Sequence, residues 1–303
     1  MHDVIHFHAS TTPAKKAIID LHTGESYDYR HADQRISQIA SFLLKATKGE
    51  RGGRVAMISR NSAFMLLVHY ACERAGLVFV PLNWRLAPPE IAVLIEDAQP
   101  SVLLWQIEFD ALAAPGLDIV EKSCQFVITD SGEAFAKDEP DDFVPNEEAA
   151  ENDPITLLYT SGTSGKSKGV ILTHKTVHYS ALNFALSSGV TRDTVFLCDM
   201  PLFHVAGLLA VSRTPIFYGG TVLVSQKFDP LNTFKNLTDP ALGVTHYFCV
   251  TQMAALIAGS TVRTNIKRLS ACPSKLFQIK MATSASGRIN RYDATRDAAV
   301  RWK

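Results

Sequence analysis

The sequence predicts an α/β fold of parallel-rich sheets flanked by helices. Three observations carry that expectation. Segments with helical spacing alternate with short extended runs along most of the chain. The run Val55-Ala-Met-Ile is apolar throughout, as a buried strand must be. With 303 residues, 47% hydrophobic and 20% charged, the chain is long enough to bury a substantial core.

Taken in order, residues 31–46 place Ile36, Ile39, Ala40, Leu43 and Leu44 at helical spacing. After the strand at 55–58, Asn61-Ser62 caps a helix reaching about Ala75. Residues 78–81 are extended, and Pro88-Pro89-Glu90 opens a helix through about Ala98. Strands follow at 102–105 and 126–129. Between Ser131 and Asp153 the composition turns acidic and polar, with Pro140 and Pro145, and predicts a solvated connector. Strands at 154–160 and 169–173 enclose a Gly/Ser/Thr/Lys loop. A helix at 175–187, an extended run at 194–198 and an apolar helix at 203–217 come next, the last ending at Gly219-Gly220. Strands at 221–224 and 244–248 and a short helix near 251–258 complete the regular pattern.

Bulk properties exclude several classes. Thirty basic residues balance thirty acidic ones, which favours neither nucleic acid nor an anionic membrane as partner. No apolar run approaches the roughly 20 residues of a membrane span, and the first residues lack the pattern of a secretory leader, so a cytoplasmic protein is expected. Cys72, Cys124, Cys198, Cys249 and Cys272 are odd in number and widely spaced, as free buried thiols are. His2, His6 and His8 form no metal-ligand pattern and predict a solvated N-terminus. Asn236-Leu-Thr238 is a glycosylation sequon only in a secreted chain.

The stretch Tyr159-Thr-Ser-Gly-Thr-Ser-Gly-Lys-Ser-Lys-Gly169 carries the chemistry. Its glycines let backbone amides turn onto an anion. Thr160, Ser161, Thr163 and Ser164 add hydroxyls, Lys166 and Lys168 add charge, and two apolar strands frame the loop. A polyphosphate suits it best. Gly165-Lys166-Ser167 imitates the end of a Walker A loop, but that motif needs glycine where Thr160 stands and a helix where a strand follows. A flexible linker would not combine ordered Thr/Ser/Gly spacing with lysines and two strong strands.

This loop resembles the signature of the adenylate-forming superfamily, which includes acyl-CoA synthetases, with Ser167 where the family usually has proline. The resemblance implies the incomplete N-terminal domain of an acyl-CoA synthetase-like acid–thiol ligase, using ATP, Mg²⁺ and CoA on a small carboxylic acid. It implies phosphate contacts from Thr160, Ser161, Gly162, Thr163, Ser164, Gly165, Lys166, Lys168 and Gly169. Pro201-Leu-Phe-His-Val-Ala-Gly207 is similar to the family's acyl-pocket motif, which implies Phe203, His204 and Gly207 around the bound carboxylate and adenylate. Phe79-Val-Pro-Leu-Asn-Trp-Arg-Leu-Ala-Pro-Pro-Glu-Ile91 resembles an early motif with a structural role, and Val244-Thr-His-Tyr-Phe-Cys-Val-Thr251 a later strand.

Residues 260–303 differ. They hold ten of the thirty Lys and Arg but two of the thirty Asp and Glu, and their apolar residues follow neither period after about Ile266. The family's adenine-binding glycines, its Thr-Glu motif, its ribose-binding aspartate and its C-terminal lysine find no counterpart here. The expected organisation is therefore a partial AMP-binding domain over 1–259 and an atypical basic tail over 260–303. A truncated or frame-shifted end accounts for the tail, and a basic arm that binds nucleic acid or an anionic surface is the alternative, though without motif or amphipathic stripe. A non-catalytic binding module remains the alternative function.

Overall fold

The computed structural model describes residues 3–129, 131–142, 149–160, 167–262, 278–281 and 290–293, with side chains through Ile257. Helix α1 (Val4–Thr11) leads to strands β1 (Lys16–Asp20) and β2 (Ser26–Asp28) and to helix α2 (Tyr29–Ala46). A parallel run follows: β3 (Arg54–Ile58), α3 (Ala63–Arg74), β4 (Val78–Leu82), α4 (Pro88–Ala98), β5 (Val102–Gln106), α5 (Asp110–Ala113) and β6 (Gln125–Ile128). The hairpin β7 (Pro154–Thr160) and β8 (Lys168–Thr173) joins that sheet, whose order is β6-β5-β3-β4-β7-β8. Helix α6 (His174–Ser188) returns the chain to the first sheet, with β9 (Val195–Cys198), a π-helix (Ala206–Arg213), α7 (Thr214–Phe217) and β10 (Thr221–Val224). There follow α8 (Pro230–Thr238), β11 (His246–Cys249), α9 (Thr251–Val262), β12 (Gln278–Met281) and β13 (Asn290–Asp293). The order of this second sheet is β13-β12-β11-β9-β10-β1-β2.

Both sheets are parallel where they are central. Strands β4 and β5 are buried at every position, which is why their sequences do not alternate. Helix α3 is buried at eleven of its twelve positions, Glu73 excepted, and a helix apolar all round has to lie inside. One continuous core cluster takes in residues of both sheets around it. A smaller cluster of Leu197, Leu223, Leu237, Tyr247, Cys249 and Met253 fills the other face of the β9–β11 region under α8 and α9.

Helix ends are set locally. Asp28, Ser62, Thr173 and Asp229 each accept a backbone N–H of the first turn of α2, α3, α6 and α8. Glu90 accepts the Ala87 N–H at 2.8 Å, with Pro88 in the first turn of α4. Gly189 ends α6 at φ +73°, a conformation glycine adopts without strain.

The structure corrects several expectations. The N-terminus is not merely solvated: Asp3 caps α1, Ile5 is fully buried, and the His8 ring lies 5.0 Å from that of Tyr29. His2 lies outside the described residues. Asn61 does not share in the cap of α3; Ser62 alone accepts the Met65 N–H, at 3.1 Å. In the 131–153 stretch, Phe135 packs edge-on against Phe42 and Phe64, and its carbonyl accepts Arg35 Nη2 at 2.8 Å, so apolar contact anchors the connector. The apolar helix after β9 is regular only from Ala206 and starts as a π-helix. Strands β1 and β2 and helix α8 have no counterpart in the predicted pattern, and β12 and β13 occupy a stretch without strand periodicity. Cys72, Cys124, Cys198 and Cys249 are free and buried, as expected, while Cys272 lies outside the described residues.

Candidate functional site

In parallel α/β sheets ligands bind beyond the carboxyl ends of the strands. Here those ends are joined across the two sheets. Asn61, just past β3, donates from Nδ2 to Met200 O at 2.8 Å and Ser225 O at 3.2 Å, and its Oδ1 accepts the Leu202 N–H at 2.9 Å. Met200 and Leu202 follow β9, and Ser225 follows β10. Asp20 at the end of β1 accepts the Ala63 N–H at 2.8 Å, a carboxylate set at the N-terminus of α3. Both sheets therefore open on one shared edge.

Aromatic rings and cations gather on this edge. Trp84, past β4, has its ring 5.8 Å from Phe109 and 6.5 Å from Phe203, the latter edge-on. The Arg60 guanidinium stands 4.7 Å from the Trp84 ring centre and forms two hydrogen bonds to Glu108, at 2.7 and 2.9 Å. Arg85 lies 5.1 Å from the Trp84 ring centre and 5.5 Å from that of Phe203. An open cleft of about 340 Å³ beside them is lined by Arg60, Ile107, Glu108, Gln226 and Lys227. Trp84 and Arg85 had only a structural part in the sequence reading. The available signal was an aromatic–arginine pair directly after a wholly apolar strand.

The Pro201–Gly207 turn divides its three predicted residues by task. Phe203 is buried against Trp84. Gly207 is buried, and a Cβ there would stand 2.1 Å from Pro201 O, so only glycine closes the turn. His204 is exposed, with its ring 4.6 Å from Phe203 and its N–H donating to Pro201 O at 3.1 Å. Partial burial and then the charge of Arg85 lower its pKa, so the imidazole is neutral near pH 7.

The loop-bearing hairpin stands next to this edge. Strand β7 pairs parallel with β4, Phe79 opposite Thr156, so Thr160 and the Trp84–Arg85 turn end on the same side. Thr160 pairs with Lys168 across the hairpin, and its hydroxyl donates to Lys168 O at 3.5 Å. Lys168 is exposed. Gly169 has a packing role as well, because a Cβ there would meet Leu157 Cδ1 at 2.9 Å. Tyr159 Oη donates to Asp97 Oδ2 at 2.6 Å and fastens the hairpin to α4. Burial, with Asp97 beside it, raises the Tyr159 pKa and keeps the phenol protonated. Ser161, Gly162, Thr163, Ser164, Gly165 and Lys166 lie outside the described residues.

Among the described residues no group of three His, Cys, Asp or Glu could hold a metal ion. No helix of the described residues is long and apolar enough to cross a membrane.

A family model described as "AMP-binding enzyme" matches residues 5–291. The chain belongs to this family. Among AMP-binding enzymes, it is 33% identical over 246 residues to indoleacetate–CoA ligase of Aromatoleum aromaticum, covering 78% of this chain and 47% of that protein. It is 34% identical over 213 residues to feruloyl-CoA synthase of Amycolatopsis sp., covering 69% of this chain and 41% of that one. The solved O-succinylbenzoate coenzyme A synthetase of Bacillus subtilis in complex with AMP matches its fold with a TM-score of 0.77 at 25% identity, over 92% of this chain and 67% of that structure. The chain spans about half the length of the curated relatives it matches.

Proposed function

We propose that this AMP-binding enzyme chain grips the ATP phosphates and the acyl group of an AMP-forming acid–thiol ligase. In that reaction a carboxylate oxygen attacks the α-phosphorus of ATP and pyrophosphate leaves. The CoA thiol then attacks the acyl carbon, losing its proton, and the acyl–oxygen bond to AMP breaks, so that AMP leaves and the thioester remains. The observation that carries the reading is the shared edge. The hairpin that holds the loop runs beside β4, whose Trp84 packs on Phe203, next to His204.

In this reading Thr160, Ser161, Gly162, Thr163, Ser164, Gly165, Lys166, Lys168 and Gly169 serve the phosphates. His204 serves the acyl side as a neutral imidazole, backed by Phe203 and by the turn that Gly207 closes. Magnesium would neutralise charge on the phosphates. The half-buried Trp84 ring, backed by the buried Phe109 and Phe203 and beside a cation, favours a small aryl carboxylic acid.

Pyrophosphate release with ATP, CoA and a panel led by indoleacetate and ferulate tests the reading. Acid-dependent release above background supports it. ATP binding with no release on any acid would make the chain a non-catalytic binding module, and neither binding nor release would sink the proposal.

A further inference from the structure

Glu73 is the one position of α3 that is not fully buried, and three elements meet on it. Arg213, the last residue of the π-helix, donates from Nη1 to Glu73 Oε2 at 2.5 Å and from Nη2 to Oε1 at 2.7 Å. His174, the first residue of α6 and the first after the loop hairpin, places Nδ1 3.3 Å from Glu73 Oε1. The Arg213 guanidinium also stands 5.3 Å from the Tyr70 ring centre, and its Nη1 lies 3.5 Å from His69 Nε2. Burial and then Arg213 push the His69 pKa down to about 3, so the ring is neutral and Nε2 can accept. Burial alone would raise the Glu73 pKa, but Arg213 and His174 outweigh it and hold the carboxyl well below its ordinary range.

The π-helix that Arg213 terminates starts two residues after His204. Its widened turn is visible in Ser212 Oγ donating to Gly207 O at 2.7 Å and in the Thr214 N–H donating to Leu209 O. Such a turn holds one residue more than an α-helical turn, and relaxing it would rotate everything on its N-terminal side. That side is His204, whose carbonyl accepts the Leu208 N–H at 3.0 Å. A two-point hold from a planar guanidinium fixes rotation as well as distance, which a point charge cannot do.

We propose that Glu73 and Arg213 are positioning residues: their paired fork locks the π-helix to α3, holds His204 on the shared edge, and couples it through His174 to the loop hairpin. The hold is built of geometry, with the Arg213 guanidinium and the His174 ring buried against Glu73. Its consequence for ligand affinity rests on the function proposed above, whereas its consequence for His204 does not.

The test compares E73M/R213M and R213K with the unaltered chain. The double variant removes the carboxylate and the guanidinium together, so neither member of that pair is left alone inside. R213K keeps the charge and loses the fork. We expect the double variant to melt within a few degrees of the parent. In both variants the His204 ring, followed by NMR titration, should move away from Arg85 and titrate closer to an ordinary histidine. Affinity for an adenosine sulfamate carrying an indoleacetyl group should fall about tenfold or more, as small misplacements at reacting groups do. A parent-like His204 titration in both variants would overturn the proposal and leave the pair a purely structural contact. Should the double variant not fold, R213K carries the same readout. If the parent does not bind the sulfamate, the functional reading fails, and the His204 titration still decides the positioning role.

Discussion

At the amino ends of β1, β9 and β10 the chain is closed by side chains that end on backbone carbonyls, whereas at the carboxyl edge shared by both sheets it presents rings, cations and an exposed histidine. At the amino ends Lys15 Nζ donates to Arg192 O and, at 2.5 Å, to Gly219 O. Tyr29 Oη donates to Gly220 O at 2.7 Å, and Thr221 Oγ1 to Lys16 O at 2.7 Å. Gly219 sits at φ +75° with the His8 ring so close that an added Cβ would meet it at 2.8 Å. At the shared carboxyl edge Asn61 makes the cross-sheet link, with Arg85 and His204 exposed and Trp84 half-buried around it. The two ends direct their polar groups differently. One end turns them onto its own backbone, and the other leaves part of them exposed.

The largest expected effect comes from breaking the link at the carboxyl edge. Asn61→Ala removes three hydrogen bonds and leaves Leu202 N–H, Met200 O and Ser225 O to find other partners in a closely packed place. At the cost of orphaned buried groups, this should lower unfolding free energy by about 3 kcal/mol, read from urea denaturation. Since the same bonds hold the turn that carries His204, ATP affinity should fall with stability. A variant as stable as the parent would show that the two sheets are joined by their apolar core alone.

A smaller effect sharpens the comparison through Asp199, at the carboxyl end of β9. Its Oδ2 accepts Thr233 Oγ1 at 2.7 Å and Tyr247 Oη at 3.0 Å, while Oδ1 has no partner among the described groups. Burial raises its pKa to about 6, partly offset by those two hydrogen bonds, with Cys198 and Cys249 the other ionisable groups nearby. A carboxyl raised on folding binds its proton more tightly in the native state. Its contribution to stability is therefore full below the unfolded value near pH 4 and is lost as pH rises through 6. Asp199→Asn should stabilise the protein by about 2 kcal/mol at pH 8, with the gain vanishing near pH 4. Thermal melts across that range check it, and a gain independent of pH would mean that Asp199 is not charged at pH 8.

Much of this layout was legible in the sequence, and what was not shares a physical cause. The strands β3, β4 and β5 could be placed because a strand buried on both faces has to be apolar at every position. The hairpin at 154–173 could be placed because its loop differs so sharply from its flanks. Asn61 reads as half of a helix cap because its true partners lie 139 to 164 residues away. Strand β1 escapes notice for the same reason, since its partner in the sheet is β10, Ile18 opposite Val222. The π-helix is hidden because its first six positions, Ala206–Val211, carry no polar side chain and have the same appearance at either helical period. Phe203, His204 and Gly207 were each singled out, but only packing separates their tasks: Phe203 and Gly207 are buried, and His204 alone presents its ring.

The smallest effect belongs to the amino ends, and it discriminates best between the two. Tyr29 is fully buried, and burial raises its pKa far above the ordinary value, so its hydroxyl is a donor at every working pH. It donates to Gly220 O at 2.7 Å, with Ile216 O at 3.4 Å. Tyr29→Phe keeps the ring against His8 and removes that donor alone, which should cost about 1 kcal/mol in urea denaturation. If the amino ends serve only closure, ATP affinity and the His204 titration should stay at the parent values while stability drops. A shift in either would mean that the two ends of the strands are mechanically coupled, and the division between a closed end and a ligand-facing end would fall.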